Sequence, residues 1–249
     1  MILLADLGNT RMKLAALDEG RAEFLAQFTH AAPDFEQQLS RWLAQQPTPS
    51  RVWLASVVDR ATGERVEAMF SQAGIEVSLV RTQASALGLH TAYTRHEQLG
   101  VDRWLALLAL QGSDATPCLT VSVGSALTCD GLSADGRHLG GLIAPTPEAM
   151  RQALWARAPG LSQLRGEVHE LAISTEDGIE SGCVLAAVAL IARSRTTLQQ
   201  RLNQDVGLVL TGGGAAALQA YLGEHSHRPN LVLEGLARWV QSQCTEADA

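Results

Sequence analysis

An aspartate that closes an apolar strand, followed by a glycine–asparagine turn, a hydroxyl and a lysine, is a set of groups suited to phosphate. The chain carries that set near its start as Asp6, Leu7, Gly8, Asn9, Thr10, Arg11, Met12 and Lys13. Gly and Asn tolerate positive φ, so Gly8–Asn9 can reverse the chain in two residues. Such a turn presents backbone N–H groups with the Asn9 and Thr10 side chains, a donor array that fits phosphate oxygens. Asp6 can hold hydrated Mg2+, an ion that keeps several waters and takes one or two carboxylates. Strand alternation puts Arg11 and Lys13 on one face. Lys13 is the only lysine in the chain, since 18 of the 19 basic residues are arginine. A lone compact ammonium thus stands beside a phosphate-like turn.

Three further segments carry chemistry. Ser122 to Asp130 contains a similar turn at Gly124, with hydroxyls at Ser125 and Thr128. Two such hairpins can clamp a polyphosphate. Leu210-Thr-Gly-Gly-Gly214 reads as a strand entering a glycine turn and then a helix, and glycine there permits close approach of a ribose or adenine. Gly100-Val101-Asp102-Arg103 opens a helix. Phosphoryl transfer to an alcohol needs a carboxylate to position the hydroxyl and take its proton, the role read for Asp102. Arg103 offers a bidentate fork for an anionic substrate. Taken singly, each segment also reads as an ordinary hairpin, turn or helix cap.

The elements that must position these groups follow from periodicity and turn residues. Strands are expected at Ile2–Leu7, Thr10–Leu17, Arg21–Thr29, Val52–Val57 and Ile75–Val80, with helices over Asp34–Gln46 and Arg60–Ala73. Asp34 is a plausible N-cap. Gln83–Gln98 lacks periodicity, and a helix begins near Gly100. The second half opens the same way, with strands at Cys118–Val123, Ala126–Leu132 and Arg137–Ile143 and a helix over Pro147–Ala158. A long helix is expected from Thr175 to Leu202 behind a Ser-Thr-Glu-Asp cap, then a strand at Val206–Leu210, an Ala-rich helix and a last helix at Leu236–Gln243. Sliding residues 3–21 by 116 positions lays Asp6-Leu7-Gly8-Asn9 over Ser122-Val123-Gly124-Ser125, a weak internal echo.

Composition excludes several classes. The 249 residues are 46% hydrophobic and 18% charged, as in an ordinary globular protein. A net charge of -7 argues against nucleic acid, which needs a basic surface. The longest apolar run, Cys183–Ala192, is about half of what a membrane span needs. The first residues hold too few apolar positions for a signal peptide, and the four scattered cysteines form no Cys-x-x-Cys pair and read as buried reduced thiols. The expected location is cytoplasmic.

Asp6-x-Gly-Asn-Thr-x-x-Lys13, then Tyr93, Gly100-Val-Asp-Arg103, Gly124-Ser-Ala-x-Thr128 and Gly140-Gly141 together resemble the type III pantothenate kinases, a family that includes proteins named as Bvg accessory factors. The likeness runs from residue 2 to about residue 240. It implies an α/β chain with two ribonuclease H-like halves of the acetate and sugar kinase/Hsp70/actin fold, divided here as 1–99 and 100–249. It implies ATP with Mg2+ as cofactor, pantothenate as substrate, and a homodimer with the pantothenate pocket near the interface. Carried over by position, Asp6 to Lys13 and Ser125 bind ATP, with Asp6 also the metal ligand. Tyr93, Gly100, Val101, Asp102, Arg103 and Thr175 line the pantothenate site, with Asp102 the proton acceptor. Three positions depart from the family pattern. The second hairpin usually opens with an Asp that binds a monovalent cation, K+ or NH4+, where this chain has Ser122; Pro145 is followed by Thr146 instead of Gly; and Gly214 stands where Asp or Glu is usual. These departures leave open a nucleotide-binding regulatory or accessory protein with reduced or lost kinase activity, and a kinase for another alcohol.

Overall fold

The computed structural model describes residues 1–247 and divides into two compact units. The first comprises residues 1–112 together with the segment from Asn230 onward, and the second runs from Ser113 to Pro229. In the first unit a meander of β1 (Ile2–Leu7), β2 (Arg11–Asp18) and β3 (Arg21–Thr29) is followed by α1 (Phe35–Ala44), β4 (Arg51–Ser56), α2 (Arg60–Gln72) and β5 (Glu76–Val80). The sheet order is β3-β2-β1-β4-β5, antiparallel through the meander and parallel from β1 to β4 and β5. Leu3, Ala5, Leu7, Met12, Leu14, Val52 and Leu54 pack from one face against Phe35 and Leu39 of α1 and Val66 and Phe70 of α2. Asp34 precedes α1 but makes no side-chain cap bond; its carboxylate accepts from Gln38 Nε2 instead, at 2.7 Å.

The segment after β5 forms a two-residue ladder, β6 (Ser85–Ala86) with β7 (Leu89–His90), and a 3-10 turn at His96–Gln98, which explains its lack of periodicity. It leads into α3 (Val101–Leu110).

The second unit repeats the plan with β8 (Cys118–Val123), β9 (Leu127–Leu132), β10 (His138–Ala144), α4 (Pro147–Arg157), α5 (Thr175–Leu202), β11 (Gly207–Thr211), α6 (Ala216–Gln219) and β12 (Ser226–His227). Its sheet order, β10-β9-β8-β11-β12, reproduces the first with the same pairing senses. Adding 116 to the bounds of β1 gives those of β8, so the echo in the sequence marks a structural repeat. These are the two ribonuclease H-like halves of the acetate and sugar kinase/Hsp70/actin fold. β12 was not expected from the sequence, being two exposed residues long.

The chain ends in α7 (Leu231–Ala247), longer than the expected Leu236–Gln243. The expected division at residue 99 also differs from the compact units, because α3 and α7 both pack with the first sheet. Trp104 meets Trp239 edge to face at 5.3 Å between centroids. Arg238 donates to the carbonyls of Leu108 and Gln111, satisfying acceptors that the end of α3 leaves open. A Cβ at Gly235 would overlap the Leu105 carbonyl, so this glycine sets how closely the two helices cross. All four cysteines are free; Cys118, Cys129 and Cys183 are buried as expected, but Cys244 is exposed. Among the described residues, no helix is long and apolar enough to cross a membrane.

Candidate active site

Alternation sorts the first hairpin onto two faces. Leu7 and Met12 pair across β1 and β2 and are fully buried in the core beneath α1 and α2. Their expected part in ATP binding is therefore corrected for the side chains, which packing occupies. Asp6 and Lys13, the next pair, project from the opposite face. The turn closes with Gly8 N–H donating to the Arg11 carbonyl at 3.0 Å, leaving Asn9 and Thr10 exposed at the tip. Neither Gly8 nor Asn9 adopts positive φ, so the expected reversal through left-handed residues is replaced by a wider turn. A Cβ on Gly8 would come no nearer than 3.4 Å to any neighbour, an ordinary contact. Among the described residues no neighbour requires that glycine, and the bare backbone leaves room for a ligand.

The electrostatics converge on Asp6. Burial pushes its carboxyl up to about 7, the charge of Asp102 adds to the push, and the Lys13 ammonium opposes it. Burial lowers the Lys13 ammonium below its ordinary value; Asp6 counters this and Arg11 reinforces it. Lys13 Nζ also reaches Asn230 Oδ1, at 3.4 Å. Two carboxylates that penalise each other's charge form a place where a cation relieves repulsion. Among the described residues no cluster of three or more ligating side chains occurs. Asp6 fits hydrated Mg2+ by its chemistry, since that ion takes one or two carboxylates and otherwise keeps its waters.

Asp102 lies in the first turn of α3, where unpaired N–H groups favour a carboxylate. Its Oδ1 accepts the backbone N–H of Arg103 at 2.8 Å. A Cβ on Gly100 would stand 2.6 Å from that oxygen, so glycine makes space for the carboxylate to fold back over the helix start. Val101 is buried and anchors the same turn. Arg103 is 7% exposed, and instead of projecting as a fork it donates from Nη1 to the Tyr93 hydroxyl at 3.2 Å, with its guanidinium 5.8 Å from the ring centroid. The first unit thus gathers Asp6, Lys13 and Asp102, and couples Tyr93 to Arg103.

Ser125 and Thr175 belong to the second unit. Ser125 is exposed at the tip of the β8–β9 hairpin, where Gly124 N–H donates to the Ala126 carbonyl at 3.0 Å. The register is unbroken, pairing Ser122 with Thr128 and Thr120 with Asp130, while Thr211 flanks Ser122 on β11. Ser122, Thr128 and Asp130 therefore share a face. Asp130 is buried and accepts from His138 Nε2 at 3.0 Å. The glycine turn after β11 has a use other than the expected ligand contact. Gly212, at φ +90°, and Gly214 lie against Val123; a Cβ on either would come within 2.8 Å of its atoms. Thr175 begins α5, whose N-cap Ser174 accepts from Asp177 N–H at 3.2 Å. It lines a cavity of about 600 Å³ with Met150, Leu154, Ile179 and Cys183.

Sequence reasoning missed three polar residues. His30 bonds the Gly8 carbonyl, Asn230 bonds Lys13, and His138 bonds Asp130. Each lies at least eight positions from its partner, so no local spacing could reveal the pair.

Residues 2–196 match the family described as type III pantothenate kinase. A protein named type III pantothenate kinase from Xanthomonas axonopodis pv. citri is 43% identical over 95% of this chain and 96% of its own length. Among solved structures, a Baf family transcriptional activator from Campylobacter jejuni superposes with a TM-score of 0.65 at 18% identity, over 98% of this chain and 99% of that one. An activator of 2-hydroxyisocaproyl-CoA dehydratase from Clostridium difficile, with bound ADPNP, gives 0.52 at 11% identity over 99% and 96%. At those identities the two structures bear on the fold alone, and it is the family match together with the 43% relative that decides lineage: the chain belongs to the type III pantothenate kinase family.

Proposed function

We propose that this protein transfers the γ-phosphoryl group of ATP to the hydroxyl of pantothenate, giving 4'-phosphopantothenate and ADP, the first step of coenzyme A biosynthesis. The observation that carries the reading is the gathering of Asp102 with Asp6 and Lys13, close enough for the Asp102 charge to be felt at Asp6. A carboxylate for the alcohol and a phosphate-binding hairpin are the two parts that phosphoryl transfer requires. The family match over residues 2–196 and relatives named for this activity support it.

In this reading the exposed turn of the first hairpin and Ser125 of the second bind the ATP phosphates, with Lys13 supplying a point charge. Asp6 would hold Mg2+ through water, and the ion would supply neutralisation of charge on the phosphates. Tyr93, Gly100, Val101, Arg103 and Thr175 form the pantothenate site. Asp102 takes the hydroxyl proton as the alcohol oxygen bonds to the γ-phosphorus and the bond to the ADP oxygen breaks. Orientation through the Arg103 N–H keeps the carboxylate in place during transfer. The enzyme acts as a homodimer in the cytoplasm. The dimer reading is supported by the apolar cavity that Thr175 lines, and by Leu171 and Ile173, which are 91% and 103% exposed just before α5. The location is supported by the four free thiols.

The test is direct. Purified protein with ATP, Mg2+ and pantothenate should form phosphopantothenate and ADP in equal amounts, followed by mass spectrometry. ATP consumption without a pantothenate product would overturn the assignment.

A further inference from the structure

The last peptide before the tip of the first hairpin is held from outside the hairpin. His30 follows β3, and its Nε2 lies 2.9 Å from the Gly8 carbonyl oxygen. A carbonyl only accepts, so Nε2 carries the proton and donates, whether the ring is neutral or cationic. The Gly8 carbonyl and the Asn9 N–H belong to one planar trans peptide and point in opposite directions. Holding the oxygen therefore aims the N–H away from His30. Asn9 is exposed, and its N–H has no protein partner among the described residues.

The hairpin does not fix this peptide by itself. The last strand pair is Leu7 with Met12, and the last bond across the hairpin is from Gly8 N–H to Arg11. The Gly8 carbonyl lies beyond that ladder, and glycine leaves the adjoining torsion free to rotate. His30, in contrast, is well supported. Its ring meets Phe35 edge to face, with centroids 6.4 Å apart, and Phe35 is 2% exposed in the core beneath the sheet. The connection to α1 is tied by Ala32 N–H to the Thr29 carbonyl at 3.0 Å and Phe35 N–H to the Ala32 carbonyl at 3.1 Å.

We propose that His30 is a positioning residue for ATP, which never touches the nucleotide but sets the Gly8–Asn9 peptide so that the Asn9 N–H is presented to a phosphate oxygen. This rests on the reading of the first hairpin as the phosphate-binding element. Loss of the His30 donor lets the peptide rotate, so the binding loop must be ordered by the ligand at a cost in affinity.

The experiment uses the full-length protein with His30→Ala, His30→Phe and His30→Gln. Phe keeps an aromatic ring against Phe35 without the donor, and Gln restores an N–H donor. Calorimetric binding of a non-hydrolysable ATP analogue with Mg2+ is measured beside steady-state kinetics and Tm. Both Ala and Phe should weaken analogue binding and raise the KM for ATP about tenfold, the scale of one hydrogen bond, with the pantothenate KM and kcat within about twofold. Gln should recover most of the loss. Wild-type affinity in His30→Phe, or a pantothenate KM that moves in step with that for ATP, would overturn the proposal. Binding without phosphopantothenate formation in the wild type would instead sink the proposed reaction and leave the binding comparison of the variants readable.

Discussion

Asp102 and Asp6 stand close enough to affect each other's charge, yet they are asked for different work. In the proposed reaction Asp102 is the base, so Asp102→Asn should cut kcat by about 10²–10⁴ while leaving Tm unchanged, because the amide still accepts from the Arg103 N–H. Retention of most turnover in that variant would remove Asp102 from the role. Gly100→Ala probes the same group from outside, since the new Cβ would displace the carboxylate that lies 2.6 Å from its position. It should lower kcat with little change in the KM for ATP. Asp6, raised from 3.8 to about 7, gives a pH signature. Its contribution to stability is fully present below the unfolded value and is lost as pH rises through about 7. Without nucleotide, Asp6→Asn should therefore gain Tm relative to wild type as pH rises from about 5 to about 8. The KM for Mg-ATP should climb as pH falls below about 7, where the carboxyl protonates and ceases to serve a cation. A Tm difference that is flat with pH would show that Asp6 does not titrate in this range.

At the scale of elements, α3 carries the proposed base but does not hold itself in place. Gly235 and Arg238 of α7 fix it, one by close approach to Leu105 and the other by bonding the α3 terminus. Gly235→Val puts atoms into the Leu105 carbonyl and should cost about 3 kcal/mol, or roughly 6–12 °C in Tm, through overpacking. Differential scanning fluorimetry reads this, and a loss of kcat should accompany it. The β8–β9 hairpin predicts the cation response. Ser122 offers a neutral hydroxyl where the family pattern places a carboxylate. Asp130 shares its face through the unbroken register, yet is buried and bonded to His138. Turnover at fixed ionic strength should thus differ little among potassium, ammonium, sodium and a bulky organic cation. Strong stimulation confined to potassium and ammonium would mean that the cation site survives without the aspartate.

For the molecule as a whole, the exposed apolar surface of the second unit is where the proposed homodimer can be tested. Leu154, 41% exposed, lines the cavity between α4 and α5 together with Thr175. Placing a charge there by Leu154→Glu should convert a dimer to a monomer in sedimentation and abolish turnover if the partner completes the pantothenate site. An active wild-type monomer at assay concentration would refute the homodimer.

The meander β1–β3 and its repeat 116 positions later were legible because strand alternation and turn glycines are local signals. The bounds of β1, β3, β8 and α5 follow the sequence reading residue for residue, and residue type and spacing single out Asp6, Lys13 and Asp102 for the proposed chemistry. Other features depend on partners distant in the chain. That α3 and α7 pack against each other is decided by Trp104 with Trp239 and by Gly235 with Leu105. That Leu7 and Met12 face α1 and α2 while Asp6 and Lys13 face the other side of the sheet required the register of β1 with β2 and the helices that cover one face. Arg103 reads as an exposed fork in sequence, and only packing shows it buried against Tyr93. His30 gave no signal at all, since its partner is a backbone carbonyl 22 residues away. Periodicity is written in neighbouring residues and so fixes each element, whereas burial and hydrogen bonding across a sheet depend on which elements meet, and that is settled only when the chain has folded.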